Sequence, residues 1–306
     1  MQEISPQPPS VKILHAGSLT TLVRQHLAPA LFQASGITLE SEGGHSVALA
    51  QAIKTERVSG DVFLSADAEV NQLLLGPGHD AWIKWFVIFA HNAVVLAYSP
   101  KSQFLADFEQ ARSGAIPWYQ VLLQPGIKLS RNDPNLDPMG YYTVLVCALA
   151  EQHYGVPDLK QGILGSDTNP AQINEGNLAR LEQGEIDALF LYQSGALERG
   201  VPYLSLPDEI NLSNPHLASA YARVQFTTNA GQTFHGKPIS FSAAILKNSQ
   251  HLEAALQVLE YLLSPAGQQV LQEAHFLPGT AHVGGDTTAL PDRLGPLLRG
   301  RYSYFV

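Results

Sequence analysis

The sequence contains a single cysteine and few charged residues for its length. Only 15% of its 306 residues are charged, whereas about 25% is usual for a globular protein. With Cys147 alone, the chain forms no intrachain disulfide and no cysteine-rich zinc site. A hydrophobic fraction of 45% with so little charge also excludes a disordered chain. Cys147 lies in the apolar run YTVLVCALA, which indicates a small core residue.

Basic clusters and long apolar runs are missing as well. The chain has 18 Lys and Arg against 27 Asp and Glu, a net charge of −9, so we expect it to bind neither nucleic acid nor anionic membranes. No run approaches the ~20 apolar residues of a membrane span. The start, MQEISPQPPS, is typical of a mature chain whose signal segment has been removed. Residues 1–10 are then a flexible tether.

The order of strand and helix signals predicts an α/β fold. Short apolar runs at 11–14, 37–39 and 61–65 alternate with helical patterns, which favours a parallel sheet with helices on its faces. The pattern restarts after Ser99 and Pro100. We therefore predict two lobes joined by more than one crossover, with a ligand cleft between them at the carboxyl ends of strands. The first lobe comprises 11–97 and 207–306, and the second comprises 98–206.

Later segments give further predictions. The runs WFVIFA and AVVLAYS indicate two buried strands joined at His91 and Asn92. A long helix begins at Met139 and closes at Gly155, and strands are expected at 221–226 and 238–246. Two helices near the C-terminus are separated at Ser264-Pro265.

Three predicted strands end in a turn of small residues that contains a serine. These turns are Ala16-Gly17-Ser18, the segment 43–46 (GGHS) and Ser65-Ala66. A serine at such a place can cap the following helix. The same place can bind an anion, because free N–H groups and the positive end of the helix dipole meet there, and small residues allow close approach to the backbone. The sequence leaves both interpretations open.

Two acidic residues and one tyrosine lie in similar positions later in the chain. Asp137 precedes a proline and the start of a helix, so it is either an N-cap carboxylate or a ligand. Glu175 lies near the start of another helix, where a carboxylate also favours the dipole. Tyr192 ends a strand just before Ser194, which could begin a helix.

Motifs of the common enzyme classes are missing. The sequence has no Walker phosphate loop, HExxH, GxSxG or Rossmann fingerprint. His15 lies beside Ser18 and could act as a base for it, but no acid partner is indicated. We therefore predict a protein that is not an enzyme.

Eight segments occur in the order found in one family of transport proteins. The ordered set resembles the periplasmic molybdate/tungstate-binding proteins of ABC importers, in particular their archaeal-type subgroup, and extends over nearly the whole chain. The resemblance implies a type II periplasmic-binding-protein fold with one discontinuous lobe. It also implies a monomer that holds the oxyanion without a cofactor and delivers it to permease subunits. The segments are HAGSL, GGHS, DVFLSADAEV, FAHNAVVLAYS, DPMGYYTVLV, LEQGEIDALFLYQSGAL, LPDEINLSNP and YLLSPAGQQVL.

The resemblance implies hydrogen-bond donors at four positions. Ser18 and Ser46 match the serines that donate hydroxyl groups from the first lobe. Met139 matches a residue that donates its backbone N–H, and Tyr192 matches a phenol donor.

In this subgroup two carboxylates also bind the metal centre of the oxyanion, which makes it octahedral. Asp137 matches the first carboxylate. Glu175 matches the second with a one-residue gap, which leaves Asn174 as the alternative. The chain departs from the subgroup at DPMGYY, where Tyr142 replaces an arginine and the local charge is expected to be less positive.

The placement of carboxylates beside a dianionic ligand requires a physical explanation, because like charges repel. At 4 Å and an effective dielectric constant of 20, each pair of like unit charges repels by ~4 kcal/mol. Direct coordination of a high-valent metal by hard oxygen ligands removes that conflict. Sulfate cannot expand its shell in this way, so two such ligands would discriminate against it.

Three alternatives remain on the sequence alone. One is a protein of the same fold that binds sulfate or phosphate through hydroxyl and N–H donors only. Another is a ferric-binding protein with Tyr141 and Tyr142 as phenolate ligands, although adjacent helical residues diverge by about 100°. The last is an enzyme on the same fold, which the missing catalytic motifs do not favour.

Overall fold

The computed structural model describes residues 9–76, 81–277 and 279–303. Its chain divides into two compact units. The first unit is Met1–Ala90 with Ser240–Val306, and the second is His91–Ile239. Most of the predicted tether, residues 1–8, lies outside the described residues, and Ser10 already belongs to the first strand.

Twelve strands and eleven α-helices are found in the described residues. The strands are β1 (Ser10–Ala16), β2 (Thr38–Gly44), β3 (Val62–Ser65), β4 (Trp85–His91), β5 (Val94–Tyr98), β6 (Leu129–Ser130), β7 (Ala188–Tyr192), β8 (Tyr203–Ser205), β9 (Gln225–Thr227), β10 (Thr233–His235), β11 (Ser240–Ile245) and β12 (Val283–Gly285). The helices are α1 (Ala28–Ser35), α2 (Ser46–Lys54), α3 (Leu105–Arg112), α4 (Trp118–Leu122), α5 (Pro138–Tyr154), α6 (Leu159–Leu164), α7 (Asn177–Gln183), α8 (Gln193–Arg199), α9 (Ala218–Tyr221), α10 (Leu252–Leu263) and α11 (Pro265–Glu273).

The first unit is built on a six-stranded sheet with the order β12-β4-β11-β3-β1-β2. β1 pairs in parallel with both β2 and β3, as the alternating pattern predicted. The sheet as a whole is mixed, because β11 is antiparallel to β3 and β12 is antiparallel to β4. β2 is also longer than the predicted 37–39, since Gly43 and Gly44 continue its pairing with β1.

The C-terminal helices cover part of this sheet. Val258, Leu259 and Leu262 of α10 are buried, as expected for the apolar face of an amphipathic helix. The predicted break at Ser264-Pro265 is confirmed, because the Ser264 hydroxyl accepts the Gly267 N–H at 3.1 Å and caps α11. In the part of the chain that the structure describes, no helix has both the length and the apolar character to cross a membrane.

The second unit is built on a four-stranded sheet with the order β6-β7-β5-β8. β5 is antiparallel to both β7 and β8, so the chain enters this unit after Ala90 rather than after residue 97. The segment that follows β8 also remains here, since the Val94 N–H donates to Asn211 O at 2.9 Å and the Ile239 N–H donates to Leu212 O at 2.8 Å. The second crossing therefore lies at 239–240 instead of the predicted 206–207.

Helix α5 is the central helix of the second unit. Twelve of its seventeen residues are buried, so neighbouring elements cover it on nearly every side. Cys147 is fully buried, and that burial raises the pKa of its thiol to about 12. The predicted core position of Cys147 is confirmed, and the helix closes at Gly155 as expected, in the left-handed region with φ 63°.

The predicted strand at 221–226 is wrong over most of its length. Tyr221 ends α9, and only Gln225 and Phe226 belong to β9, which pairs with β10 in a two-stranded ribbon. The fully buried Tyr221 side chain donates to the Asp208 carbonyl. The alternation in YARVQF thus arises from a helix end followed by a turn, where tertiary contacts override the period of two.

Candidate functional site

The three small-residue turns lie at one edge of the first unit's sheet. The β1–β2 register pairs Ala16 with Gly44, and the β1–β3 register pairs His15 with Leu64, one residue before Ser65. Three adjacent parallel strands therefore end at the same level. This is the edge at which open α/β sheets bind ligands.

Ser46 does not cap the helix that it begins. It is the first residue of α2, and the N-cap position belongs to His45, whose side chain makes no capping hydrogen bond. The fully buried Ser46 Oγ accepts the Ala66 N–H at 3.2 Å, which links the second turn to the third. Because a hydroxyl can accept and donate at once, Ser46 retains its own hydrogen for a further acceptor.

Ser18 does not act as a cap either. It is the middle residue of the 3₁₀ turn Gly17–Leu19, whose N-cap is Ala16 and has no side-chain capping bond. Ser18 is exposed. Plain helix capping, one of the two interpretations open from the sequence, therefore explains neither Ser18 nor Ser46.

His15 is a buried neighbour of these serines. Its Nδ1 lies 2.8 Å from Ala16 O, while its Nε2 has no hydrogen-bond partner within the described residues. A Cβ at Gly43 would lie 2.8 Å from the His15 Cε1 atom, so this glycine makes room for the ring. No hydrogen bond between His15 and Ser18 occurs in the described ranges, so the structure does not favour His15 as a base for Ser18.

We expect His15 to make the stability of the protein depend on pH. Burial lowers the pKa of His15 below its usual 6.5, so the unfolded chain binds a proton more readily than the folded one. The stabilisation is complete above pH 6.5 and is lost as the pH falls through the folded-state pKa. Urea unfolding without ligand at pH 8, 7, 6 and 5 should show this fall in the wild type. His15→Asn, which retains an amide donor for Ala16 O, should reduce this dependence of the free energy of unfolding on pH. If the wild type and the variant lose stability in parallel as the pH falls, His15 is not its source.

In the second unit, Asp137 is the N-cap of α5. Its Oδ1 accepts the Met139 N–H at 2.8 Å and the Asn132 Nδ2 at 3.0 Å. The N–H of Met139, expected from the resemblance to donate to the ligand, is thus engaged by a side chain of the protein. A role of this N–H in binding the ligand stays a prediction from the resemblance.

Gly140 explains how the loop before α5 can pack against it. A Cβ at this position would lie 2.6 Å from the Asp133 carbonyl carbon and 2.6 Å from the Pro134 nitrogen. Only glycine permits this approach of two backbone segments. Asp133 Oδ1 in turn accepts the Asn135 N–H at 2.8 Å, which fixes the loop as an Asx turn ahead of Asp137.

Asparagine side chains connect the Asp137 loop to the start of α7. Asn177 Nδ2 donates to Asn132 Oδ1 and to Asn174 O, each at 2.9 Å, and Asn132 in turn donates to Asp137. Ser130 Oγ donates to Asn177 Oδ1 at 2.7 Å and accepts the Asn174 amide at 2.9 Å. The side chain of Asn174 therefore faces β6, whereas its neighbour Glu175 is exposed.

We predict that this network stabilises the second unit. Asn177 is 5% exposed, and Asn177→Ala would leave the buried oxygen and amide groups of its partners unpaired. The free energy of unfolding should fall by about 1–3 kcal/mol, as measured by denaturant titration. Asn248→Ala, at an exposed position, is the matched control. Equal stability of the two variants would contradict the proposed role.

Tyr192 ends β7 and precedes α8, as predicted. The helix begins around Ser194, whose Oγ accepts the Asn92 amide at 2.7 Å. Tyr192 is 3% exposed, and its ring meets that of Tyr142 edge to face at 6.3 Å.

A buried lysine lies beside Tyr142. Lys237 is 2% exposed, and its Nζ lies 6.0 Å from the centroid of the Tyr142 ring. The second unit therefore has a cation beside Tyr142 that Tyr142 itself does not supply, and the expectation of a less positive charge than in the subgroup stays a prediction. Lys237 follows Tyr142 by 95 positions in the chain, and no motif marked it.

The ferric alternative gains no support from the tyrosines. Tyr141 stacks on Phe234 with the ring centroids 4.3 Å apart, while Tyr142 contacts Tyr192 and Lys237. The two adjacent rings meet edge to face with their centroids 5.0 Å apart, but their further neighbours differ. Among the described residues, no group of three or more His, Cys, Asp or Glu side chains could hold a metal ion.

The first unit is discontinuous in sequence and has small-residue turns at the carboxyl ends of parallel strands, and the second α/β unit is inserted into it. This arrangement defines a solute-binding protein of the type II periplasmic fold. The chain belongs to the bacterial extracellular solute-binding protein family, whose model matches residues 11–277. The predicted fold class is thereby confirmed.

Two relatives illustrate the relationship. A protein of Haloferax volcanii that bears the name of an ABC transporter molybdenum-binding protein is 35% identical over 275 residues, which is 90% of this chain and 83% of the relative. The molybdate/tungstate-binding protein WtpA of Pyrococcus abyssi is 30% identical over 291 residues, covering 86% of this chain and 83% of its own length. These relatives confirm the resemblance that the motifs indicated.

A solved structure shares the fold. The periplasmic molybdate-binding protein of Azotobacter vinelandii superposes with a TM-score of 0.59 over 88% of this chain and all of its own. At 18% sequence identity, this likeness concerns the fold alone.

Proposed function

We propose that the chain binds molybdate or tungstate and delivers the oxyanion to the permease subunits of an ABC importer. The observation that carries this proposal is the pair of serines, Ser18 and Ser46, which follow adjacent parallel strands and cap neither helix. The names of the Haloferax and Pyrococcus relatives support the same ligand. The acidic net charge of −9 gives little long-range attraction for an anion, so affinity depends on short-range donors.

The first unit supplies hydrogen-bond donors in this proposal. The Ser18 and Ser46 hydroxyl groups donate to oxyanion oxygens, and the N–H groups at the start of α2 add a partial positive charge. The Ala66 N–H, which donates to Ser46 Oγ, orients that hydroxyl so that its hydrogen is directed elsewhere.

The second unit supplies the metal-directed ligands. Asp137 and Glu175 bind the molybdenum or tungsten atom through carboxylate oxygens, and the Tyr192 phenol donates to an oxyanion oxygen. Glu175 is favoured over Asn174 because the Asn174 amide is bonded to Ser130 Oγ. The Met139 N–H, which donates to Asp137 Oδ1, remains the proposed backbone donor of this unit.

The proposal also includes the oligomeric state, the location and the absence of catalysis that are expected of the binding component of an importer. The chain acts as a monomer outside the cytoplasm, carries no cofactor and catalyses no reaction. Its family of extracellular solute-binding proteins supports this location and role.

Calorimetric titration against a set of anions tests the proposal. Molybdate and tungstate should bind with saturable heats and raise the unfolding temperature, because a ligand of the folded state stabilises it by mass action. Sulfate, phosphate and ferric citrate should have much smaller effects at equal concentration. Tight sulfate or phosphate binding without molybdate binding would overturn the proposal, as would a selective response to ferric citrate.

A further inference from the structure

The helical segment that follows β1 begins with a turn whose carbonyl groups are held by side chains. Thr20 Oγ1 donates to Gly17 O at 2.8 Å, and the Thr20 backbone N–H donates to the same oxygen. The preceding carbonyl oxygen, Ala16 O, lies 2.8 Å from His15 Nδ1, which acts as the donor because a carbonyl oxygen can only accept. Two successive carbonyl groups of the turn that carries Ser18 are therefore engaged within the first unit.

The two hydrogen bonds to Gly17 O fix the direction of the peptide group between Gly17 and Ser18. In a trans peptide the C=O and the N–H point in opposite directions, so the Ser18 N–H is directed away from Thr20. Ser18 itself is exposed. The residue whose hydroxyl is a proposed ligand therefore also directs a backbone N–H away from the helical segment.

The direction of this peptide group matters to an anionic ligand. A carbonyl oxygen carries a partial negative charge, so a rotated Gly17–Ser18 peptide would replace an attractive N–H by a repulsive oxygen. The Thr20 hydroxyl opposes that rotation, because it adds a second donor to Gly17 O. It also polarises the peptide, since linked hydrogen bonds strengthen one another by ~10–30% each.

Gly43 on the neighbouring strand β2 leaves room for the side chains that hold the turn. A Cβ at this position would lie 2.8 Å from His15 Cε1 and 3.4 Å from Thr20 Oγ1. The Thr20 hydroxyl is thus close both to its own turn and to the glycines that precede Ser46.

Threonine hydroxyl groups also bond carbonyl groups at places unrelated to the site. Thr55 Oγ1 donates to Gln51 O at 3.0 Å at the end of α2, and such bonds to a residue three or four positions earlier are common in helices. The acceptor distinguishes Thr20, because Gly17 O belongs to the same peptide group as the Ser18 N–H.

We propose that Thr20 is a positioning residue of the oxyanion site and acts through the Gly17–Ser18 peptide group. This inference rests on the proposed function and deepens it. The Thr20 hydroxyl does not touch the ligand. It holds Gly17 O within the turn, so that the Ser18 backbone N–H joins the Ser18 hydroxyl as a donor to the oxyanion.

Calorimetric titration of the full chain with molybdate tests the inference. Thr20→Val keeps the shape of the side chain without its hydroxyl and should bind molybdate about three- to tenfold more weakly, the effect of one ordinary hydrogen bond. Thr20→Ser should bind within about twofold of the wild type, because serine supplies the same donor. Thr55→Val, which loses a bond of the same kind at the end of α2, is the matched control and should bind like the wild type.

A double-mutant cycle shows whether Thr20 acts through Ser18. The loss of affinity caused by Thr20→Val should be smaller in the Ser18→Ala background, because the hydroxyl that it displaces is already absent. In the Ser46→Ala background the loss should be unchanged, since Ser46 belongs to another turn and independent sites contribute additively.

Unfolding without ligand separates positioning from a structural role. Gly17 is exposed, and its carbonyl keeps the Thr20 backbone N–H as a donor in every variant. Thr20→Val should therefore unfold at the same temperature as the wild type while it binds molybdate more weakly.

Each result decides the inference. Wild-type affinity in Thr20→Val overturns it, and so does an equal loss of affinity in Thr20→Val and Thr20→Ser. A lower unfolding temperature with the same loss of affinity in both serine backgrounds marks a structural role and also overturns it. If Thr20→Val does not fold, Thr20→Ala is measured in its place by the same criteria. A wild type that does not bind molybdate overturns the proposed function itself, a result distinct from any difference among the variants.

Discussion

Joint replacement of Asp137 and Glu175 should reduce molybdate affinity about a hundredfold or more and leave sulfate binding equal or improved. Asp137→Asn and Glu175→Gln keep the size of both side chains and remove both anionic oxygen ligands. Loss of charge-assisted contacts costs roughly 1.5–3 kcal/mol each, and two such losses give at least this factor. Sulfate, which cannot accept extra ligands, gains from the relief of carboxylate repulsion.

The design of these variants keeps the fold intact. Asparagine is as good an N-cap as aspartate, so Asp137→Asn preserves an acceptor for the Met139 N–H. Glu175 is exposed, so its replacement by the similarly sized glutamine does not disturb the core. Asp133→Asn is the control, because Asp133 lies in the same loop but serves the Asx turn with Asn135. If the double variant shows an equal loss of affinity for molybdate and sulfate, or no loss for either, the proposed role of the carboxylates is contradicted.

Loss of the serine hydroxyl groups should affect binding at both positions but stability at only one. Ser18→Ala and Ser46→Ala each remove a charge-assisted hydrogen bond to the oxyanion, worth roughly 1.5–3 kcal/mol, or about tenfold or more in affinity. Ser46→Ala also leaves the buried Ala66 N–H without its acceptor, so its free energy of unfolding should fall by about 1–3 kcal/mol. Ser18 is exposed, and its variant should unfold like the wild type.

Calorimetry and denaturant titration of both variants separate these effects. Ser41→Ala is the control, since Ser41 lies on β2 and bonds the Arg24 side chain at 3.2 Å. Wild-type molybdate affinity in both variants would exclude the two hydroxyl groups as ligands. Loss of affinity in Ser46→Ala alone would restrict the donor role to the second turn.

The sequence predicted the first half of the candidate site because its signals are local. Strand, small-residue turn and helix follow one another within a few residues around Ser18 and Ser46, and parallel strands in succession must end at the same edge of their sheet. The same local logic predicted α5, its cap at Asp137 and its closing Gly155. The roles of Ser18, Ser46, Asp137, Glu175 and Tyr192 as ligands remain predictions.

Features that depend on distant partners could not be predicted. Whether β5 belongs to one unit or the other depends on its pairing with β7 and β8, which lie about a hundred residues further along. The hydrogen bond that the Asn177 amide donates to Asn132 joins the start of α7 to a loop 45 positions earlier in the chain. Lys237 comes near Tyr142 only through the packing of the 221–239 segment. Hydrophobic periodicity carries no information on any of these contacts.

X-ray absorption at the metal edge of the molybdate-bound protein tests most directly whether two carboxylates bind the metal centre. Direct ligands add oxygen atoms at bonding distance to the tetrahedral shell, whereas side chains that only accept or donate hydrogen bonds approach oxyanion oxygens at ~2.7 Å or more. We predict an expanded oxygen shell in the wild type that reverts to a tetrahedral shell in the Asp137→Asn, Glu175→Gln double variant. A tetrahedral shell alone in the wild-type complex would contradict the account and leave Glu175 as a solvent-exposed residue ahead of α7.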